Sequence, residues 1–189
     1  DATTHKGALT SESSSIIETA AITARAERIP LVGVIRSSGA DILEGFSALH
    51  GWGRAARALT DCSGVVPTIL IVDGPAVSGP ALLLGIADHV VMVEGSYAFV
   101  SGPTMVTEFT GVAIDNEELG GASAHAGYSG AATLVAADME GAVEAAAMLL
   151  AYFPQHNDEE PPTWPTDDDI SRQVPEAGAL IPPSSTGSY

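Results

Sequence analysis

Two short segments carry residue types able to hold a negative charge developing on oxygen. Ser37-Ser38-Gly39-Ala40-Asp41 and Gly74-Pro75-Ala76-Val77-Ser78-Gly79-Pro80 each follow an apolar run and precede a helical pattern. A small-residue turn between strand and helix leaves backbone N–H groups pointing at the strand end, with the helix dipole behind them. Two such turns side by side would supply two amide donors to one oxygen, the requirement of an oxyanion hole. Taken singly, either turn reads as a structural device for close helix–sheet packing. Neither G-x-G-x-x-G nor a Walker A lysine is present, which disfavours dinucleotide or ATP chemistry.

Other polar residues weigh less. Arg54 and Arg57 lie one turn apart on a predicted helix, placed either to meet phosphates or to form a solvated face. His50, before Gly51-Trp52-Gly53, reads as a packing or hydrogen-bonding residue, and His125 has no role assignable from chemistry. Cys62 reads as a small buried hydrophobe. Asp115, Glu117 and Glu118 resemble a solvated helix start, and no metal site is expected.

The elements that must position the two turns alternate. The pattern predicts a helix from a Ser11 or Ser13 cap to about Arg28, a buried parallel strand at 31–35 and a helix from Ile42 to Leu59. A strand at 67–72 should close at the turn Asp73-Gly74-Pro75, with a helix from Pro80 to Ala87 behind it. Strands at 89–93, 97–100 and 133–135, a helix near 103–109 and an Asp138-capped helix to about Tyr152 complete the pattern. Repeated strand–helix–strand order predicts an α/β fold built from parallel βαβ units. Residues 1–11 are small and polar with a turn at Gly7, residues 12–153 hold the regular pattern, and 154–189 read as a proline-rich, acidic linker or arm.

Composition bounds the partners. The chain has 189 residues, 46% of them hydrophobic, which suits one domain with a sizeable core. Seven Lys+Arg stand against 24 Asp+Glu, for a net charge of -17. So few cations disfavour nucleic acid and anionic membrane surfaces as partners. No apolar run is long enough for a membrane span. The lone cysteine excludes an intrachain disulfide and fits a reducing, cytoplasmic setting. A start at Asp1 without a signal-peptide pattern fits a processed or partial chain.

With their flanks, the two turns resemble a known family. SSGADILEGFSALHGWGR (37–54), SGVVPTILIVDGP (63–75), AFVSGPTMVTEFTG (98–111) and ELGGASAHAGYSGAATLVAAD (118–138) are similar, in order, to the carboxyltransferase (beta) subunits of biotin-dependent acyl-CoA carboxylases. These are the propionyl-CoA and methylmalonyl-CoA carboxyltransferase group, and the likeness falls in their amino-terminal, crotonase-like half. AYFPQHNDEEPP (151–162) matches the family's helix end and proline-rich exit.

The resemblance implies a crotonase-like α/β spiral of βαβ units over residues 1–153, followed by the arm 154–189. It implies carboxyl transfer from carboxybiotin, held on a partner carrier domain, to the α-carbon of an acyl-CoA through an enolate. By position, the amides of Ala40 and Gly79 would hold the thioester oxygen, Ser38 and Gly39 would shape the first turn, and Arg54, Arg57 and Ser78 would contact the coenzyme A thioester. The implied partners are a second crotonase-like half or subunit, a biotin carboxyl carrier protein and biotin carboxylase, in an oligomer. A decarboxylase of a malonyl-type thioester and a non-catalytic subunit are the alternatives. The chain departs from the family's Ser-Gly-Gly-Ala-Arg at Ser37–Asp41, from its Ala-Gly-Gly-Ala at Val77–Pro80, and from its Thr-Arg at Gly127-Tyr128. Asp41 is expected either to cap the following helix or to face the pocket and repel carboxylated groups.

Overall fold

The structure is a computed structural model describing residues 7–184 and 186–187; the polar reading of residues 1–6 and the final positions of the arm lie outside them. In chain order the elements are β1 (Ala8–Leu9), α1 (Ser11–Glu27), β2 (Leu31–Ser37), β3 (Gly39–Ala40), α2 (Phe46–Thr60), β4 (Thr68–Val77), α3 (Gly79–Leu84), β5 (His89–Val93), β6 (Tyr97–Phe99), α4 (Pro103–Thr110), α5 (Asn116–Gly120), α6 (Ala122–Ala124), a π-helix (His125–Ser129), β7 (Leu134–Ala136), α7 (Met139–Leu150) and α8 (Pro175–Ala179).

The main sheet runs β2-β4-β5-β7 with β6 added to the far end of β4, and every pairing in it is parallel. β4 is its spine. Thr68 through Val72 are all buried, as an uninterrupted apolar run must be when both sheet faces are covered. Leu70, Val72, Val90 and Met92 pack with Ala21, Ala56, Ala58 and Leu59 from α1 and α2. Ile69, Ile71, Val91 and Val93 pack on Ala142 and Ala146 of α7. The period-two alternation thus feeds two cores, one on each face. The architecture is α/β, with helices on both faces of a parallel sheet.

Several boundaries differ from the sequence reading. The strand at 31–35 is not doubly buried: β2 lies at the sheet edge, with Val32 and Val34 exposed on one face and Leu31 and Ile35 packed on the other. β4 does not stop at Asp73; it continues to Val77, and a shift of register against β2 absorbs the extra residues around Gly74-Pro75. α2 starts at Phe46 rather than Ile42, because Asp41 and Glu44 first close a separate turn. α3 ends at Leu84. Thr10, not Ser11 or Ser13, caps α1, accepting the Ser13 N–H at 3.0 Å. Asp138 caps α7 as expected, accepting the Gly141 N–H at 2.8 Å. Among the described residues from 154 on there is one short helix, α8, and residues 157–181 are exposed.

Candidate functional site

The first turn is a miniature sheet. β3 pairs in parallel with β1, with Leu9 opposite Ala40. The Asp41 N–H donates to the Leu9 carbonyl at 3.0 Å. Amides alternate in direction along a parallel ladder, so the Ala40 N–H is directed away from β1. Gly39 adopts φ +116, a conformation few side chains tolerate. A Cβ built on Gly39 would lie 3.5 Å from the Val77 oxygen and 3.7 Å from the Ser78 Cβ. The two turns are therefore direct neighbours.

The second turn is an elbow between β4 and α3. Ser78 has φ 62 and ψ -124, a region normally left to glycine, and a strained residue persists there only when its surroundings hold it. Two hydrogen bonds do so. The Ser78 N–H donates to the Phe99 carbonyl on β6 at 2.9 Å. The Trp52 indole Nε1–H donates to the Gly79 carbonyl at 2.8 Å. Gly79 is the first residue of α3, so its own N–H has no intrahelical acceptor. Pro80, which has no N–H, sits buried behind it. A cavity of about 290 Å³ touches Ser37 and Pro80 and is otherwise lined by residues such as Leu9, Ile16, Val34 and Leu83; neither Ala40 nor Gly79 lines it.

Asp41 is buried, and its Oδ1 accepts the Leu43 N–H at 2.9 Å while its carbonyl accepts the Glu44 N–H at 3.3 Å. The carboxylate organises the turn ahead of α2 rather than capping the helix itself. Because α2 starts at Phe46, five residues past Asp41, the first turn also lacks the helix N-terminus that the sequence pattern suggested behind it.

Arg54 and Arg57 stand apart from these turns. They line a groove of about 340 Å³ between α1 and α2 that contains Arg25 and none of the turn residues. Arg54 forms a two-pronged pair with Glu18. Arg57 reaches Asp61 at 3.8 Å and Arg25 reaches it at 3.6 Å. Both predicted phosphate contacts are thus brought together, each already paired with a carboxylate.

Two residues escaped the sequence reading. Trp52 is one; the glycine it packs against is Gly79, 27 residues on, so no neighbouring residue signals its role. His125 is the other. Its Nε2 lies 2.8 Å from the Ala98 carbonyl and its Nδ1 2.7 Å from the Ser129 hydroxyl. A carbonyl only accepts, so in the neutral ring Nε2 carries the proton and Nδ1 accepts from Ser129. His125 thereby pins β6 one residue before Phe99, which holds the elbow. Gly120 packs on the same carbonyl so closely that a Cβ would overlap it. Cys62 is buried as expected, and burial pushes its thiol above the ordinary range. Asp115 caps α5 through the Glu118 N–H at 2.8 Å. No cluster able to hold a metal ion occurs among the described residues.

Two neighbouring strand-end turns on an all-parallel α/β sheet fit the crotonase-like class of folds. The carboxyl transferase domain family matches residues 1–189, and the chain belongs to it. It is 34% identical over 161 residues to methylmalonyl-CoA decarboxylase subunit alpha of Veillonella parvula, covering 85% of this chain and 32% of that protein. It is 35% identical over 161 residues to the propionyl-CoA carboxylase carboxyltransferase subunit of Haloferax mediterranei, covering 85% and 31%. Among solved structures, transcarboxylase 12S with hydrolysed methylmalonyl-coenzyme A bound aligns with a TM-score of 0.84 at 32% identity, covering 96% of this chain and 36% of that one. The chain therefore spans about a third of the length of these relatives. No helix among the described residues is long and apolar enough to cross a membrane.

Proposed function

We propose that this chain is the acyl-CoA-binding part of a biotin-dependent acyl-CoA carboxyltransferase. The observation that supports the reading is the contact between the two turns, where a Cβ on Gly39 would lie 3.5 Å from the Val77 oxygen and 3.7 Å from the Ser78 Cβ. Abstraction of the α-proton from a thioester moves charge onto the carbonyl oxygen, and each well-aimed amide stabilises that charge by about 3 kcal/mol. Gly39 and Ser38 shape the first donor, and Ser78 carries the second. Arg54 and Arg57 meet the coenzyme A phosphates by exchanging their carboxylate partners. The donor set fits a thioester; biotin, bound on its carrier, would supply the carboxyl group. Residues 1–153 form the binding domain and 154–189 an arm.

The site is completed by a second crotonase-like half or subunit, with a biotin carboxyl carrier protein and biotin carboxylase as further partners in a cytoplasmic oligomer. Ile42, Leu43 and Phe46, just past the first turn, and Phe109 and Tyr128 are almost wholly exposed, which supports such a partner.

Carboxylation of propionyl-CoA by the reconstituted assembly tests the proposal. Ala40→Pro deletes one donor N–H and is expected to lower kcat about a hundredfold or more, with a thermal melt to confirm folding. An unchanged rate in a folded variant overturns it. A decarboxylase is the second reading, favoured by the likeness to the Veillonella subunit. Release of carbon dioxide from methylmalonyl-CoA without biotin would select it.

A further inference from the structure

We infer that Trp52 is a positioning residue, the clamp that holds the Ser78–Gly79 elbow in its left-handed conformation and so aims the Gly79 amide at the thioester oxygen. The inference rests on the carboxyltransferase reading and adds to it a residue outside the turns. The peptide that carries the Gly79 N–H joins Ser78 to Gly79, and both its flanks are tied. On one side the Ser78 N–H is held by the Phe99 carbonyl at 2.9 Å. On the other the Gly79 carbonyl is held by the Trp52 indole at 2.8 Å. With Ser78 at φ 62 and ψ -124, the elbow would relax toward a common backbone region if either tie were lost, turning the amide away.

The indole also fixes what can occupy the elbow. A Cβ on Gly79 would lie 2.9 Å from Trp52 Cδ1 and 3.0 Å from its Nε1. Trp52 belongs to α2, the helix that follows the first turn, so the element downstream of the Ala40 donor grips the Gly79 donor. Trp52 thus couples the element behind the first turn to the second.

The test compares Trp52→Phe, which keeps a ring and deletes the N–H, with Ser78→Gly and the double variant. In propionyl-CoA carboxylation, Trp52→Phe is expected to lower kcat about ten- to a hundredfold with KM little changed, because the aim of the amide matters most once charge has reached the oxygen. In the Ser78→Gly background, where the elbow conformation is unstrained, the same substitution should cost several-fold less. Unchanged kcat, or the same loss in both backgrounds, overturns the clamp, since simple packing would act equally in each. Trp52 and Trp164 are the chain's two tryptophans, so Trp164→Phe leaves Trp52 as its single tryptophan, read by selective excitation of indole. Its emission should change on titration with propionyl-CoA, whereas silence together with no heat of binding overturns the carboxyltransferase reading itself. In that event hydrogen exchange at the Gly79 amide still judges the clamp. Faster exchange in Trp52→Phe, but not in Trp52→Phe/Ser78→Gly relative to Ser78→Gly, supports it, and equal effects overturn it.

Discussion

The Ser37–Asp41 turn and the Ser78–Gly79 elbow present an amide by different means. The first relies on local chemistry. Gly39 takes φ +116, Asp41 closes the following turn through its own carboxylate, and β1 pairs alongside. The second relies on distant support. A serine occupies a glycine conformation because β6 and Trp52 hold it there, and β6 is in turn pinned by His125 and Gly120. A turn built from a permissive residue needs little around it, whereas a strained one must be held from outside. The elbow should therefore be sensitive to remote changes and the first turn to its own residues.

The largest expected effect is remote from either turn. Gly120→Ala drives a Cβ into the Ala98 carbonyl, so β6 must move; a loss of about 3 kcal/mol in a denaturant titration is expected, with loss of acyl-CoA binding. Normal binding in this variant would show that β6 does not support the elbow. Gly39→Ala comes next, expected to cost about 2 kcal/mol, because alanine has no comfortable place at φ +116. A drop well below that would mean the first turn, too, is held from outside.

Asp41→Ala is expected to lose about 1 kcal/mol with the bond to the Leu43 N–H, while Asp41→Asn, which retains an acceptor, stays near neutral for melting and function. Asp41→Arg separates the two roles considered for this residue. A large gain in carboxylation at unchanged stability would place its charge in the pocket rather than in the turn. Ser78→Gly gives the smallest effect and the opposite sign. Relief of strain, partly offset by glycine's backbone entropy, should raise stability by about 0.5–1 kcal/mol. A fall in melting temperature would mean that the elbow is not strained.

Much of the fold was legible. Thr68–Val72 is apolar without interruption, which only a strand covered on both faces requires, and Asp138 caps its helix by a rule that operates within four residues. The turns were legible only in part: β4 runs on to Val77, so the second is just the Ser78–Gly79 elbow, and the helix expected directly behind the first begins at Phe46. β2 was misread because an apolar run looks alike whether one face or two are covered; Val32 and Val34 declare the edge only once the strand order is known. The continuation of β4 past Gly74-Pro75 was hidden because the residues that usually end a strand here sit in a register shift against β2.

The sequence by itself determined the alternating elements, the two amide-bearing turns and, through ordered segments spread along the chain, the family. Only the tertiary structure decided how the donors are held. Trp52 and Gly79 are 27 residues apart, and His125 and Ala98 are also 27 apart. Hydrogen bonds across such distances follow from where packed helices and strands bring side chains, and no local pattern encodes them. The same holds for Arg54, whose partner Glu18 lies on another helix, and for Asp41, whose bond to its own turn became visible only when α2 was seen to begin at Phe46.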